Sequence, residues 1–186
     1  MYKHCSTEES TLRQRQFEQC LLELMQQIPY SQITISDLCE QMNLSRKSFY
    51  RYFSSKDGCL YALIDHSIME FSSAYLPENT LLQRDLYEHY FNYWKKLSPL
   101  LTVLCQNQLT TCLFERTLLC ITEEEHEFRN FLHANNRDDD YESILFVVCG
   151  ITGILLNWHN TGYRKTPSQM AATLDQLLRQ TLPVSV

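Results

Sequence analysis

With 186 residues, 44% of them apolar and 12% aromatic, the chain is long enough to bury a substantial core, and its 4 Gly and 5 Pro favour long helices over turn-dense sheet. The opening MYKHCSTEES is polar and no run of about 18 apolar residues occurs, so neither a secretion signal nor a membrane span is expected, and the 8 Cys should be reduced thiols in the cytoplasm. The net charge of −6 argues against a nucleic-acid partner for the chain as a whole, but it is unevenly spread: residues 1–60 carry seven Lys/Arg and seven Asp/Glu, the rest nine and fifteen. A basic patch in the first part can still act locally, because screened phosphate attraction decays over about 8–10 Å.

Residues 1–8 are expected to be a frayed arm, with Lys3 and His4 as its polar tips. The first helix is predicted over Thr11–Gln27, with Leu12, Phe17, Leu21, Leu24, Met25 and Ile28 on its core face and Arg13 and Arg15 outside; Pro29 ends it. Next comes the stretch Ile33–Leu60, ITISDLCEQMNLSRKSFYRYFSSKDGCL. Thr34 followed three residues on by Asp37 is a capping-box pattern, and Ile35, Leu38, Cys39 and Met42 recur at helical spacing. Asn43 suits the left-handed conformation that ends a helix, Leu44 plugs the turn, and Ser45 caps a second short helix whose inner residues are Phe49 and Phe53. Its outer face carries Arg46, Lys47, Ser48, Tyr50, Arg51 and Tyr52, and no acid occurs between Gln41 and Lys56. Two short helices joined by a tight turn, the second one basic, form a helix-turn-helix whose second helix fits the DNA major groove.

Thr34, Leu38, Ser45, Phe49, Tyr50, Tyr52, Phe53, Ser55, Lys56, Asp57 and Leu60 fall in register with the DNA-binding signature of the TetR/AcrR family of bacterial transcriptional regulators, which the stretch resembles without gaps over about 28 residues. It departs at Met42-Asn43-Leu44, where that family has Ala-Gly-Val, yet the roles persist: two apolar packers around a turn-former. The resemblance implies an all-α chain in two parts: residues 1–55 as a helix-turn-helix DNA-binding domain and 56–186 as a helical effector-binding and dimerisation domain. On this reading Lys47, Arg46 and Ser36 meet base edges, while Thr34, Ser48, Tyr50, Tyr52 and Lys56 grip phosphates, with Ser45 and Arg51 on the same surface.

Ser55 caps a long helix over Lys56–Leu76, with Leu60, Leu63, Ile64, Ile68 and Phe71 inward and a break at Pro77–Asn79. An aromatic-rich helix follows over Thr80–Leu97 (Tyr87, Tyr90, Phe91, Tyr93, Trp94); Ser98-Pro99 then reads as N-cap and first residue of a helix to about Gln106. A longer helix over Leu109–His133 has an apolar first half, Leu113 to Ile121, and an acidic run at Glu123–Glu125; residues 135–140 are a polar loop. Cys105, Cys112 and Cys120, spaced by seven and eight, read as small buried residues of one helix face, with redox sensing as the alternative. Tyr141–Asn160 is the most apolar helix, in which Gly150 and Gly153 allow a neighbour close, and Thr161-Gly162 end it. The last helix opens at Thr166-Pro167, carries Met170, Leu174, Leu177 and Leu178, and stops at Pro183.

In the resembling family the last two helices pair two copies, so the chain is expected as a homodimer reading a palindromic operator in double-stranded DNA. The middle helices, about 80–133, would enclose a pocket for a small-molecule effector; His66, Tyr90, Trp94, Cys112 and Arg116 are candidates for it on their chemistry alone. An effector that tilts the fourth helix would change the spacing of the two heads and release the operator, giving a repressor. The competing reading is an interaction module, such as a coactivator, that binds a partner protein or metabolite without an operator of its own. No Gly-rich phosphate loop or G-x-S-x-G elbow occurs, and His126-Glu127 and His133 miss the H-E-x-x-H spacing, so no enzyme activity, cofactor or metal is expected.

Overall fold

The computed structural model describes residues 1–75, 83–123 and 141–181. The expected break at Pro77–Asn79, the acidic run beyond Glu123, His126, Glu127 and His133, the 135–140 loop and the stop at Pro183 lie outside the described residues. Within them are nine α-helices and no named strand: α1 (Glu8–Met25), α2 (Ile35–Gln41), α3 (Arg46–Tyr50), α4 (Lys56–Tyr75), α5 (Gln83–Lys96), α6 (Ser98–Gln106), α7 (Thr110–Glu123), α8 (Tyr141–Asn160) and α9 (Pro167–Thr181). A short 3-10 turn, Tyr30–Gln32, links α1 to α2. None of the described helices is long and apolar enough to cross a membrane.

Helix α1 begins about one turn earlier than the sequence suggested. The Thr7 hydroxyl accepts from the Ser10 N–H and the Ser10 side chain answers the Thr7 N–H, a capping box that satisfies two otherwise orphaned donors. Its buried stripe is Gln14, Phe17, Glu18, Cys20, Leu21 and Met25, while Leu12 is 59% exposed and contributes nothing to the core. The residues before it are no frayed arm. Tyr2 forms an antiparallel bridge with Phe53, the Lys3 N–H donates to the Tyr52 carbonyl at 2.9 Å, and the Ser54 N–H and hydroxyl both donate to the Met1 carbonyl. Pairing of this kind was invisible to the sequence because it joins segments about fifty residues apart.

Around α4 the molecule is assembled: α4 packs on α1 at one side and on α7 and α5 at another, with α5 lying along α9. Leu60, Leu63, Ile64, Ile68 and Phe71 are buried as predicted. Above them Phe71 meets Tyr90 edge-on at 5.5 Å, and Phe91 meets Trp158 of α8 at 5.3 Å, so aromatic edges stitch α4, α5 and α8 together. Ser98 does not cap α6; Leu97 does, without a side-chain bond, and Pro99 supplies the preset first turn. Cys105 lies on α6 and Cys112 and Cys120 on α7, because a left-handed Gln108 (φ 58°) breaks the helix between them; their spacing is not that of one face.

Helix α8 has the predicted bounds but two unlike sides. Val147, Val148, Ile151, Leu155 and Trp158 are buried, whereas Leu145, Phe146 (61% exposed), Cys149 and Gly150 face outward. Among the described residues nothing stands within 4 Å of a Cβ placed on Gly150 or Gly153, so none of them is the close neighbour expected there. On α9, Met170, Leu174 and Leu178 are buried as expected but Leu177 is 40% exposed. The α8–α9 turn rests on left-handed Gly162 and Tyr163, with the Tyr163 N–H returning to the Trp158 carbonyl.

Candidate nucleic-acid interface

The helix-turn-helix is built from its caps outward. Thr34 and Asp37 exchange hydrogen bonds, the Thr34 N–H to the carboxylate at 2.7 Å and the Asp37 N–H to the hydroxyl at 3.2 Å, and the Thr34 donors hold the Asp37 carboxyl below its ordinary pKa. Helix α2 buries Leu38 and Cys39 and stops at Asn43 (φ 52°), whereupon the Leu44 N–H closes onto the Cys39 carbonyl at 2.8 Å. Ser45 then caps α3 by accepting from the Ser48 N–H. Phe49, fully buried, is the inner pin of α3: Phe17 meets it edge-on at 5.3 Å and Phe53 packs at 5.1 Å. Anchored on one side only, α3 presents Arg46, Lys47 and Tyr50 to solvent, with Arg51 just beyond its end and Ser36 of α2 and its N-cap Thr34 exposed nearby. Arg46 reaches along the helix to donate to the Tyr50 hydroxyl at 3.3 Å.

Two residues expected on this surface are held elsewhere. Tyr52 lies past the end of α3 and is buried against Phe17 and Phe53, so it belongs to the core more than to an outer face. The Lys56 ammonium donates to the carbonyls of Tyr30 (2.6 Å) and Ile33 (2.7 Å) and stands 4.2 Å over the Tyr30 ring; burial lowers its pKa. It splices the link before α2 to the start of α4. Ser45 and Ser48 share a contact at 3.1 Å, with Ser48 half-buried.

The five effector candidates are not gathered around one described cavity. Tyr90 and Trp94 lie in the aromatic seam of α5 with their rings tilted 60° to each other, and burial raises the Tyr90 pKa. Cys112 is half-buried on α7. His66 turns to α1, its Nδ1 2.9 Å from the buried Glu18 carboxylate, and Arg116 reaches from α7 to the buried Asp65, stacking over Tyr61 on the way. His66 therefore ties α4 to α1, and Arg116 ties α7 to α4. Their partners were overlooked in the sequence. Glu18 and Asp65 are charged residues inside otherwise apolar helical stripes, and that conflict was the signal to look for buried pairing. A third junction, the Tyr30 N–H donating to the Asn107 side chain at 2.7 Å, left no trace in the pattern.

A capped helix-turn-helix with an exposed, acid-free second helix, carried on an all-helical body, defines a DNA-binding regulator. Comparison with known proteins agrees: a model described as bacterial regulatory proteins, tetR family, matches residues 21–63, and one described as transcriptional regulator C-terminal region matches residues 83–180. The chain belongs to the TetR family of transcriptional regulators. No curated protein is a significant match. Among solved structures it is similar to a TetR transcriptional regulator from Streptococcus agalactiae 2603V (TM-score 0.65, 15% identity, 91% of this chain and 95% of that one). It is also similar to the fatty acid degradation regulator FadR from Bacillus halodurans (TM-score 0.63, 13% identity, 98% and 100%) and to the repressor AlkX from Dietzia sp. strain DQ12-45-1b (TM-score 0.56, 18% identity, 90% and 96%). At these identities the likeness is one of fold.

Proposed function

We propose that the chain is a homodimeric repressor that leaves a palindromic operator when a small molecule binds its body, with residues 1–55 as the reading head and 56–186 as the effector and dimer part. The observation that carries the DNA reading is the exposed Arg46–Lys47–Tyr50 face of α3, standing on a fully buried Phe49. Arg46, Lys47 and Ser36 meet base edges; Thr34, Ser45, Ser48, Tyr50 and Arg51 meet phosphates, while Tyr52 and Lys56 act from behind by fixing the surface. The pairing of two copies is supported by the exposed apolar side of α8, where Leu145, Phe146, Cys149 and Gly150 all face outward. A groove of about 620 Å³ along the same side, lined by Gly150, Gly153, Ile154 and Leu177 among others, leaves room for a second copy of the pair.

The test is a salt titration of binding to a duplex selected by the protein from a random-sequence pool. A reader that neutralises several phosphates loses affinity steeply, with log K falling by about 0.9 per phosphate per decade of salt. Failure to select any duplex, or a flat salt response, rejects this reading in favour of an interaction module without an operator.

A further inference from the structure

We propose that the N-terminal arm is a strap that couples the seating of α3 to the position of α7, with Asp65 as the positioning residue on which both converge. Asp65 is 1% exposed in the middle of α4. From α7, Arg116 grips it with two prongs, Nε to Oδ1 at 2.6 Å and Nη2 to Oδ2. From the arm, the Tyr2 hydroxyl donates to the same Oδ2 at 2.6 Å, and the Cys120 thiol lies 3.9 Å from Oδ1. Tyr2 is in turn bridged to Phe53, with its neighbours bonded to Tyr52 and Ser54. Those three residues close α3: the Phe53 N–H returns to the Phe49 carbonyl at 3.1 Å. The arm can lie there only because Gly58 has no side chain, since a Cβ on Gly58 would stand 2.6 Å from the Met1 carbonyl oxygen.

The physics of the coupling is that of a buried carboxylate with a shared set of donors. With the guanidinium in place, its charge is compensated and the phenol completes its hydrogen bonding. If α7 shifts and withdraws Arg116, the carboxylate is left buried with neutral donors alone, an arrangement that is strongly unfavourable. Water then competes for it, Tyr2 is the lid in the way, and the arm lifts from residues 52–54. The segment that closes the recognition helix loses its two backbone bonds to the arm, Lys3 N–H to the Tyr52 carbonyl and Ser54 N–H to the Met1 carbonyl.

The strap rests on the reading of the chain as an effector-responsive DNA binder, but its first measurement needs no DNA. In the full chain, amide exchange at Lys3 and Ser54, the donors to Tyr52 and Met1, is compared in wild type, Arg116→Gln, Tyr2→Phe and the double variant. Each single change should speed exchange about tenfold at those two amides, leave the protected amides of α1 unaltered, and weaken binding to the selected duplex about tenfold. The double variant should do no more than either alone, because both act through one carboxylate. Gly58→Ala, which lifts the arm at Met1 without altering any side chain that bonds Asp65, should reproduce the same two changes. Unaltered Ser54 exchange in folded Arg116→Gln, or effects that simply add in the double variant, overturns the strap. Should Arg116→Gln not fold, unchanged exchange in both Tyr2→Phe and Gly58→Ala overturns it equally. A wild type that selects no duplex while the exchange changes occur rejects the DNA reading and upholds the coupling.

Discussion

Lys47 and Tyr50 share the outer face of α3 but differ in what they can read. A flexible ammonium can reach an acceptor on a base edge, whereas the hydroxyl of Tyr50, a residue 44% exposed, already accepts from Arg46 and is placed as a fixed donor to a phosphate. Lys47→Ala should therefore weaken binding and relax base preference at one position by about 1–3 kcal/mol, while Tyr50→Phe weakens binding to all sequences alike; anisotropy titrations on the selected duplex and its single-base variants separate the two. If neither changes, α3 is not the reading helix. His159 carries a different residue-level prediction. Its ring bridges the Tyr163 hydroxyl (Nδ1, 2.7 Å) and Thr102 (Nε2, 3.3 Å), and burial lowers its pKa. The unfolded chain thus takes up this proton at a higher pH than the folded one, so the stability it contributes is present above about pH 6.5 and is lost as pH falls toward the folded pKa. Denaturant midpoints across pH 7.5 to 5 should fall less steeply in His159→Gln than in wild type.

At the scale of single elements, caps decide boundaries more firmly than propensity does. Helix α2 has only seven residues and would not hold on its own; its start depends on the Thr34–Asp37 exchange. Thr34→Ala should cost about 1 kcal/mol in chemical denaturation, and it should also weaken DNA binding because α2 sets the tilt of α3. A stability loss without any loss of binding would show that the tilt is set elsewhere, for instance by Lys56. Legibility followed the same logic. The caps at Thr34, Ser45 and Ser55 and the turn at Asn43 were readable because each is a local code within four residues. The capping box at Thr7 was equally local and was overlooked only because a polar start invites reading as a loose end.

For the whole molecule, the open side of α8 supplies a test of pairing that separates monomer from dimer. Glycine inside a helix costs about 0.5–1 kcal/mol relative to alanine, and among the described residues no atom obstructs a methyl at residue 150 or 153. Gly150→Ala with Gly153→Ala should raise the stability of an isolated chain yet weaken association if a second α8 packs there, and Phe146→Arg should drive the population to monomer. Sedimentation across a concentration series, read beside thermal unfolding, gives both signs at once. Stabilisation with association unchanged would place the dimer contact elsewhere.

Much of this protein was written in short-range pattern. Helical periodicity, caps and a run of basic residues without acids identify an all-helical chain with a DNA-reading head, because those signals act within a turn or two and need no knowledge of neighbours. Only the tertiary structure decided what the polar residues inside the apolar stripes do. Glu18 with His66, Asp65 with Arg116 and Tyr2, and Lys56 with two backbone carbonyls are pairings between segments 23 to 63 residues apart. A buried charge announces that it needs a partner, but sequence spacing cannot say which one, since burial and partner choice are settled together when the helices pack.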